Sequence, residues 1–187
     1  DRYLARLSWP EGASGPTGGV GYDFAYESVD DTKRIFSKYL SVEKVQRLVR
    51  CYGMRGQRGK AATAGVRDII IPFDVAMEIF EEETMPKYIK ETLNTFPGSE
   101  NLPDNAFGAL VSLVMNRGAL IDSSDRRKEM RNIRSILAEE ELTNDSILRI
   151  AQEVRAMSRL WTDNIISDND LHAPRHAEAD LLDACAY

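Results

Sequence analysis

Along most of this chain apolar residues recur every three or four positions, the spacing of helices with one buried face. Residues 8 to 23, SWPEGASGPTGGVGYD, break that pattern. They hold five glycines and two prolines and predict a tight loop or small hairpin. From Asp30 onward the pattern is helical. Asp30 or Asp31 can cap a helix running towards Leu40, with Ile35, Phe36, Tyr39 and Leu40 as its stripe. Ser41 caps the next, with Val42, Val45, Leu48, Val49 and Tyr52 inward and Gly53 past its end. A Gly- and Arg-rich loop follows, then a short helix over 61–69. Pro72 fits the first turn of a helix carrying Phe73, Val75, Ala76, Ile79 and Phe80. Pro86 should break or kink it, and a segment over 88–93 should end at Phe96-Pro97-Gly98.

Asp104 or Asn105 caps residues 106–116, AFGALVSLVMN, which are greasy on nearly all sides. Such a helix belongs at the centre of a core. Gly118 ends it, helices follow at about 125–140 and 145–161, and a last one starts near Pro174. The expected fold is mainly α. A small β-hairpin lobe lies in 1–30, and a helical lobe in 31–187 surrounds the apolar helix.

Composition narrows the function. The 187 residues are 43% hydrophobic and 29% charged, ordinary for a globular chain and against wholesale disorder. No apolar run reaches the roughly 18 residues a membrane span needs, so no membrane insertion is expected. Cys51 and Cys185 make no disulfide framework and read as small buried residues. With only His172 and His176, a His-centred triad or zinc site has little support, and no metal is expected. The chain starts at Asp1 without Met or a leader, so it is expected to be a piece of a longer protein.

The net charge of −6 argues against a general nucleic-acid binder. It is unevenly spread. Lys33, Arg34, Lys38, Lys44, Arg47, Arg50, Arg55, Arg58 and Lys60 form a basic block whose only acid is Glu43. That block is either a solvated helical face or a surface for a polyanion, cell-wall polymer or nucleic acid.

The stretch Trp9-Pro10-Glu11-Gly12-Ala13-Ser14-Gly15-Pro16-Thr17-Gly18-Gly19-Val20-Gly21-Tyr22-Asp23 resembles the loop of pesticin-like, phage-type lysozymes. The resemblance continues in order through Ile71-Pro72-Phe73-Asp74-Val75-Ala76, Phe96-Pro97-Gly98 and Ala109 to Gly118. It then takes in Arg127 to Ile133, Met157, Leu160-Trp161 and Arg175-His176-Ala177-Glu178-Ala179. It implies one lysozyme-like domain over 1–187, an α+β fold holding glycan between two lobes. The implied activity is that of a muramidase cutting the β-1,4 bond between N-acetylmuramic acid and N-acetylglucosamine, without cofactor.

Glycoside hydrolysis needs an acid for the leaving oxygen and a second carboxylate for water. By resemblance Thr17 and Asp23 hold the water. A hairpin accounts for their spacing of six, because residues an even number apart on a strand share a face. Asp23 also reads as a turn or cap acid, and Thr17 as a hydroxyl satisfying the loop. The family's acid is a Glu about two dozen residues before the Thr, which falls upstream of Asp1. Glu11, beside Trp9 and where the family has Gly, is the local candidate, with Glu27 behind it; an indole wall can raise a carboxyl pKa. The other reading of Glu11 is a solvated loop carboxylate.

Among substrate contacts, Asn116 can bond an N-acetyl group or cap its helix, and Arg175 can pair with a wall carboxylate or form a surface ion pair. Tyr22 and Trp9 can stack on sugars or pack in the core. The family's Thr-Ile-Gly is Thr17-Gly18-Gly19 here, and its Arg-Arg is Pro174-Arg175. The expectation is a monomeric bacteriolytic effector or endolysin-type domain that is delivered to the periplasm or cell wall. Peptidoglycan would be its partner, with an immunity or inhibitor protein in the cleft as a further one. A catalytically incomplete peptidoglycan-binding module is the alternative.

Overall fold

The computed structural model describes residues 6–161 and 172–186. The chain is mainly helical with one small antiparallel hairpin, and it divides into two compact units, Asp1–Pro86 and Lys87–Tyr187. Helices over 29–79 therefore belong with the hairpin, and the division falls far beyond residue 30.

In the first unit, β1 (Thr17–Gly18) pairs with β2 (Tyr22–Asp23), with Thr17 opposite Asp23 and Gly18 opposite Tyr22. The turn between them needs Gly19 and Gly21, whose φ of 58° and 78° lie in the left-handed region. Ser8 bridges to Thr17 and Arg6 to Ile70, tying the hairpin to neighbouring chain.

Helix α1 (Val29–Phe36) is capped by Ser28, whose side chain accepts from the Asp31 N–H. Asp30 and Asp31, expected as caps, instead occupy the first turn, where their charge meets the positive end of the helix dipole. Helix α2 (Val42–Val49) is capped by Ser41 as expected and buries Val45 and Leu48. Val42 and Tyr52, expected inward, are exposed, since they lie at the first position and beyond the last. Helix α3 (Gln57–Ala64) starts four residues before the expected 61–69, because its contacts are made by small residues that carry no apolar stripe.

Helix α4 (Phe73–Ile79) follows Pro72, which sits at the cap. A π-helical turn (Phe80–Thr84) leads directly into α5 (Met85–Thr95). Pro86 is the second residue of α5, directly after the π turn, whose wider bonding (Met85 N–H to Phe80 O) takes up the irregularity expected of it. Leu7, Phe24, Ile35, Phe36, Leu48 and Ile69 are among the core of this unit.

In the second unit, α6 (Asp104–Arg117) buries Ala106, Ala109, Leu110, Val111, Leu113 and Val114, and ends at Gly118 with φ 76°. Helix α7 (Lys128–Leu137) follows a 3-10 turn. Helix α8 (Asn144–Ala156) opens on a capping box of Thr143 and Ser146. A 3-10 turn (Met157–Trp161) closes it, and α9 (His172–Ala184) packs on α8 and α6. Leu110, Leu113, Met130, Ile133, Ile150 and Leu182 lie in one continuous cluster. No helix among the described residues is long and apolar enough to cross a membrane. Residues 162–171, and the side chains of Trp161, His172 and Pro174 named above, lie outside the described part.

Candidate active site

Thr17 and Asp23 face each other across the hairpin. Phe24 N–H donates to Pro16 O, which makes them a non-hydrogen-bonded pair, the type whose side chains stand closest. They share a face because they oppose each other on two strands, not because they alternate along one. Both are half-buried.

The Asp23 carboxylate is held by backbone. Oδ1 accepts from Ala25 N–H at 2.9 Å, and the Gly15 N–H is shared between Oδ1 at 3.2 Å and Oδ2 at 3.1 Å. Partial burial pushes its pKa above the ordinary aspartate value; the two N–H donors and the Arg55 guanidinium pull the other way. Oδ2 keeps acceptor capacity for a water. The Thr17 hydroxyl donates to Gly15 O at 3.2 Å, so Gly15 touches both side chains. A Cβ at Gly15 would meet Ala25 Cβ at 2.3 Å, Met54 O at 2.7 Å and Asp23 Oδ1 at 3.0 Å. Only glycine fits there.

The loop ahead of the hairpin is fastened by two aromatic side chains. Trp9 Nε1 donates to Ser14 O at 2.9 Å, and the Tyr26 hydroxyl donates to Ala13 O at 3.2 Å. Glu11 is exposed on this loop with φ 78°, a strained backbone for a residue with a Cβ. No wall encloses its carboxyl. Glu27 is half-buried after β2, and its N–H donates to Asp23 O.

Tyr22, adjacent to Asp23 on β2, points to the opposite face. It packs against Phe24 at 4.9 Å and Phe36 at 5.1 Å between ring centroids, which is the core alternative. Its hydroxyl lies towards Thr32 without a well-aligned bond, and burial pushes its pKa far up.

Asn116 and Arg175 are in the second unit, linked to each other through Ser112 and Glu178. Exposed Asn116 donates through Nδ2 to Ser112 O at 2.9 Å. The Ser112 hydroxyl donates to Glu178 Oε1 at 2.5 Å, and Arg175 Nη2 donates to the same oxygen at 2.7 Å. Arg175 is 2% exposed and Glu178 3%, so their ion pair is internal rather than on the surface. Burial pushes the Glu178 carboxyl up and the Arg175 guanidinium down. Arg175 presents no surface to a ligand here.

The sequence assigns no site role to Gly15, Ala25, Ser112 or Glu178, and places Arg55 only in the basic block. Glu178 was legible, three residues after Arg175 on one helical face. Gly15 was legible only as one of five loop glycines. Among the described residues, no group of three or more His, Cys, Asp and Glu side chains converges as metal ligands would. The chain matches no protein-family model and no curated protein.

Proposed function

We propose that this chain is a lysozyme-type peptidoglycan hydrolase of the bacterial periplasm or cell wall, with Thr17 and Asp23 as its water-positioning pair. The observation that carries this reading is the Thr17–Asp23 cross-strand pair, with the carboxylate clamped by Gly15 and Ala25 N–H groups. Clamping through two backbone donors sets the carboxylate in one rotamer and leaves an oxygen for water. In the reaction, water is held by the Thr17 hydroxyl and Asp23. Asp23 takes a water proton as the water oxygen bonds to the anomeric carbon. A carboxylic acid on the other side of the sugar gives its proton to the departing glycosidic oxygen, so the configuration inverts. Glu11 is the local candidate for that acid.

The exposure of Glu11 favours a second reading, a module that binds glycan without cutting it, since a general acid is ordinarily kept protonated by burial. Purified sacculi separate the two. A hydrolase releases muropeptides with new reducing ends, seen by mass spectrometry, and Asp23→Asn abolishes the release while the circular dichroism spectrum stays that of wild type. A binder pulls down with sacculi and releases nothing. Turbidity loss undiminished in Asp23→Asn would remove Asp23 from the mechanism.

A further inference from the structure

The backbone brings Arg55 to Asp23. Gly53 N–H donates to Ala25 O at 3.0 Å, which fastens this stretch alongside the residues that follow β2. Met54 O then lies 2.7 Å from the point a Cβ on Gly15 would occupy, and Asp23 Oδ1 lies 3.0 Å from the same point. Arg55 is the next residue, so its side chain starts beside the Asp23 carboxylate.

That side chain does not close on the carboxylate. Its guanidinium carbon lies over the Tyr26 ring, 3.8 Å from the ring centre. Tyr26 is itself fixed: its N–H donates to Asp23 O at 3.1 Å and its hydroxyl to Ala13 O at 3.2 Å. Among the described residues Arg55 forms no ion pair. The ring thus keeps a positive charge near Asp23 without letting it fill an acceptor position.

The other titratable groups around Asp23 supply no such charge. The Cys51 thiol is buried, and burial, followed by the Asp23 charge, pushes it up to about 11, so it is neutral while Asp23 titrates. Glu27, four residues on, and exposed Glu11 on the loop ahead can add only negative charge. Burial raises the Asp23 carboxyl; the Ala25 and Gly15 N–H groups and the Arg55 charge lower it. The N–H groups occupy lone pairs of the carboxylate, and Arg55 occupies none.

A carboxylate base needs two properties that compete. It must be ionised, which a nearby cation favours, and it must keep a lone pair open, which a directly paired arginine would fill. A guanidinium is charged at every pH at which a carboxylate titrates. We propose that Arg55 is a positioning residue for Asp23: stacked on Tyr26, it supplies a fixed positive charge that favours the ionised carboxylate while Oδ2 stays open to water. The step from carboxylate to base rests on the proposed function; the coupling of Arg55 to Asp23 does not.

The test titrates the full chain by NMR with carbon-13 in its aspartates, the Asp23 carboxyl signal being the one that Asp23→Asn removes. Arg55→Gln should raise the Asp23 midpoint by about half a pH unit at low salt, the size expected of one charge held beyond contact. Arg55→Lys keeps the charge and should hold the wild-type midpoint. Raised salt should shrink the difference between wild type and Arg55→Gln. Arg55 is exposed, so both variants should keep the wild-type circular dichroism spectrum. An Asp23 midpoint unmoved in Arg55→Gln overturns the proposal. An equal rise in Arg55→Gln and Arg55→Lys also overturns it, because the contact with the ring and not the charge would then be at work. The pH profile of sacculus hydrolysis tests the proposed function separately: its acid limb should move up with the Asp23 midpoint in Arg55→Gln. A limb that stays while the midpoint moves removes Asp23 as the base and leaves its coupling to Arg55 standing.

Discussion

Asp23 carries two duties that pull against each other. As an acceptor for Gly15 and Ala25 it shapes the loop, and as a half-buried carboxylate it resists ionisation. Because the folded state binds the Asp23 proton more tightly than the unfolded chain does, this group's contribution to stability is greatest below the ordinary aspartate pKa. It declines as pH rises from that value to the raised one, and is flat above. Asp23→Asn should flatten this part of the urea-stability profile against pH. If Asp23 is the base, wall hydrolysis rises through the same raised pKa, so its acid limb lies above that of an exposed aspartate. Gly15→Ala should lower stability by about 1–3 kcal/mol, or more if the loop cannot shift, and should weaken activity further by displacing Asp23. Thermal melting beside a turbidity assay reads both. The two residues were legible only through the resemblance to the lysozyme loop; their spacing and glycine surroundings indicate a hairpin but single out neither. The clamp was not, since its donors are backbone N–H groups and leave no mark on residue type.

The helices were legible where an apolar stripe met a capping residue. Ser41, Val45 and Leu48 define α2, and the apolar run from Ala106 identifies α6. Boundaries slipped where two caps competed or where small residues made the contacts. Ser28 precedes two aspartates that are also good caps, and its hydroxyl took the Asp31 N–H because the chain turns there. Ser28→Ala should cost about 1 kcal/mol, measured by urea unfolding, whereas Asp30→Ala should cost only a few tenths. The start of helix α3 lies four residues ahead of the expected one because Gly59 has no side chain to place in a stripe and packs through its absence. Pro86 indicated an interruption, and packing put it one element earlier, in the π turn before α5.

Each unit has its own apolar cluster, and each spends polar groups differently. The first exposes its cations around the Asp23 loop. The second buries an ion pair, Arg175–Glu178, with a Ser112 hydroxyl on the same oxygen. Removing one partner leaves an uncompensated charge inside, so Glu178→Ala should destabilise by about 3–5 kcal/mol. The double variant Arg175→Met, Glu178→Leu should lose much less, because neither charge remains. Equal losses in the two, by urea unfolding, would mean the pair is not enclosed as described.

Local order was written along the chain. The period of apolar positions, the serine caps and the glycines of the turn determine helices, hairpin and the facing of Thr17 and Asp23, since each depends on residues a few positions apart. The environment of those groups was decided by folding alone. Arg55 near Asp23, Gly59 against Gly15, and Arg175 turned inward onto Glu178 all depend on how elements pack. Packing is set by surface shape and volume over the whole unit, which no periodicity in the sequence records.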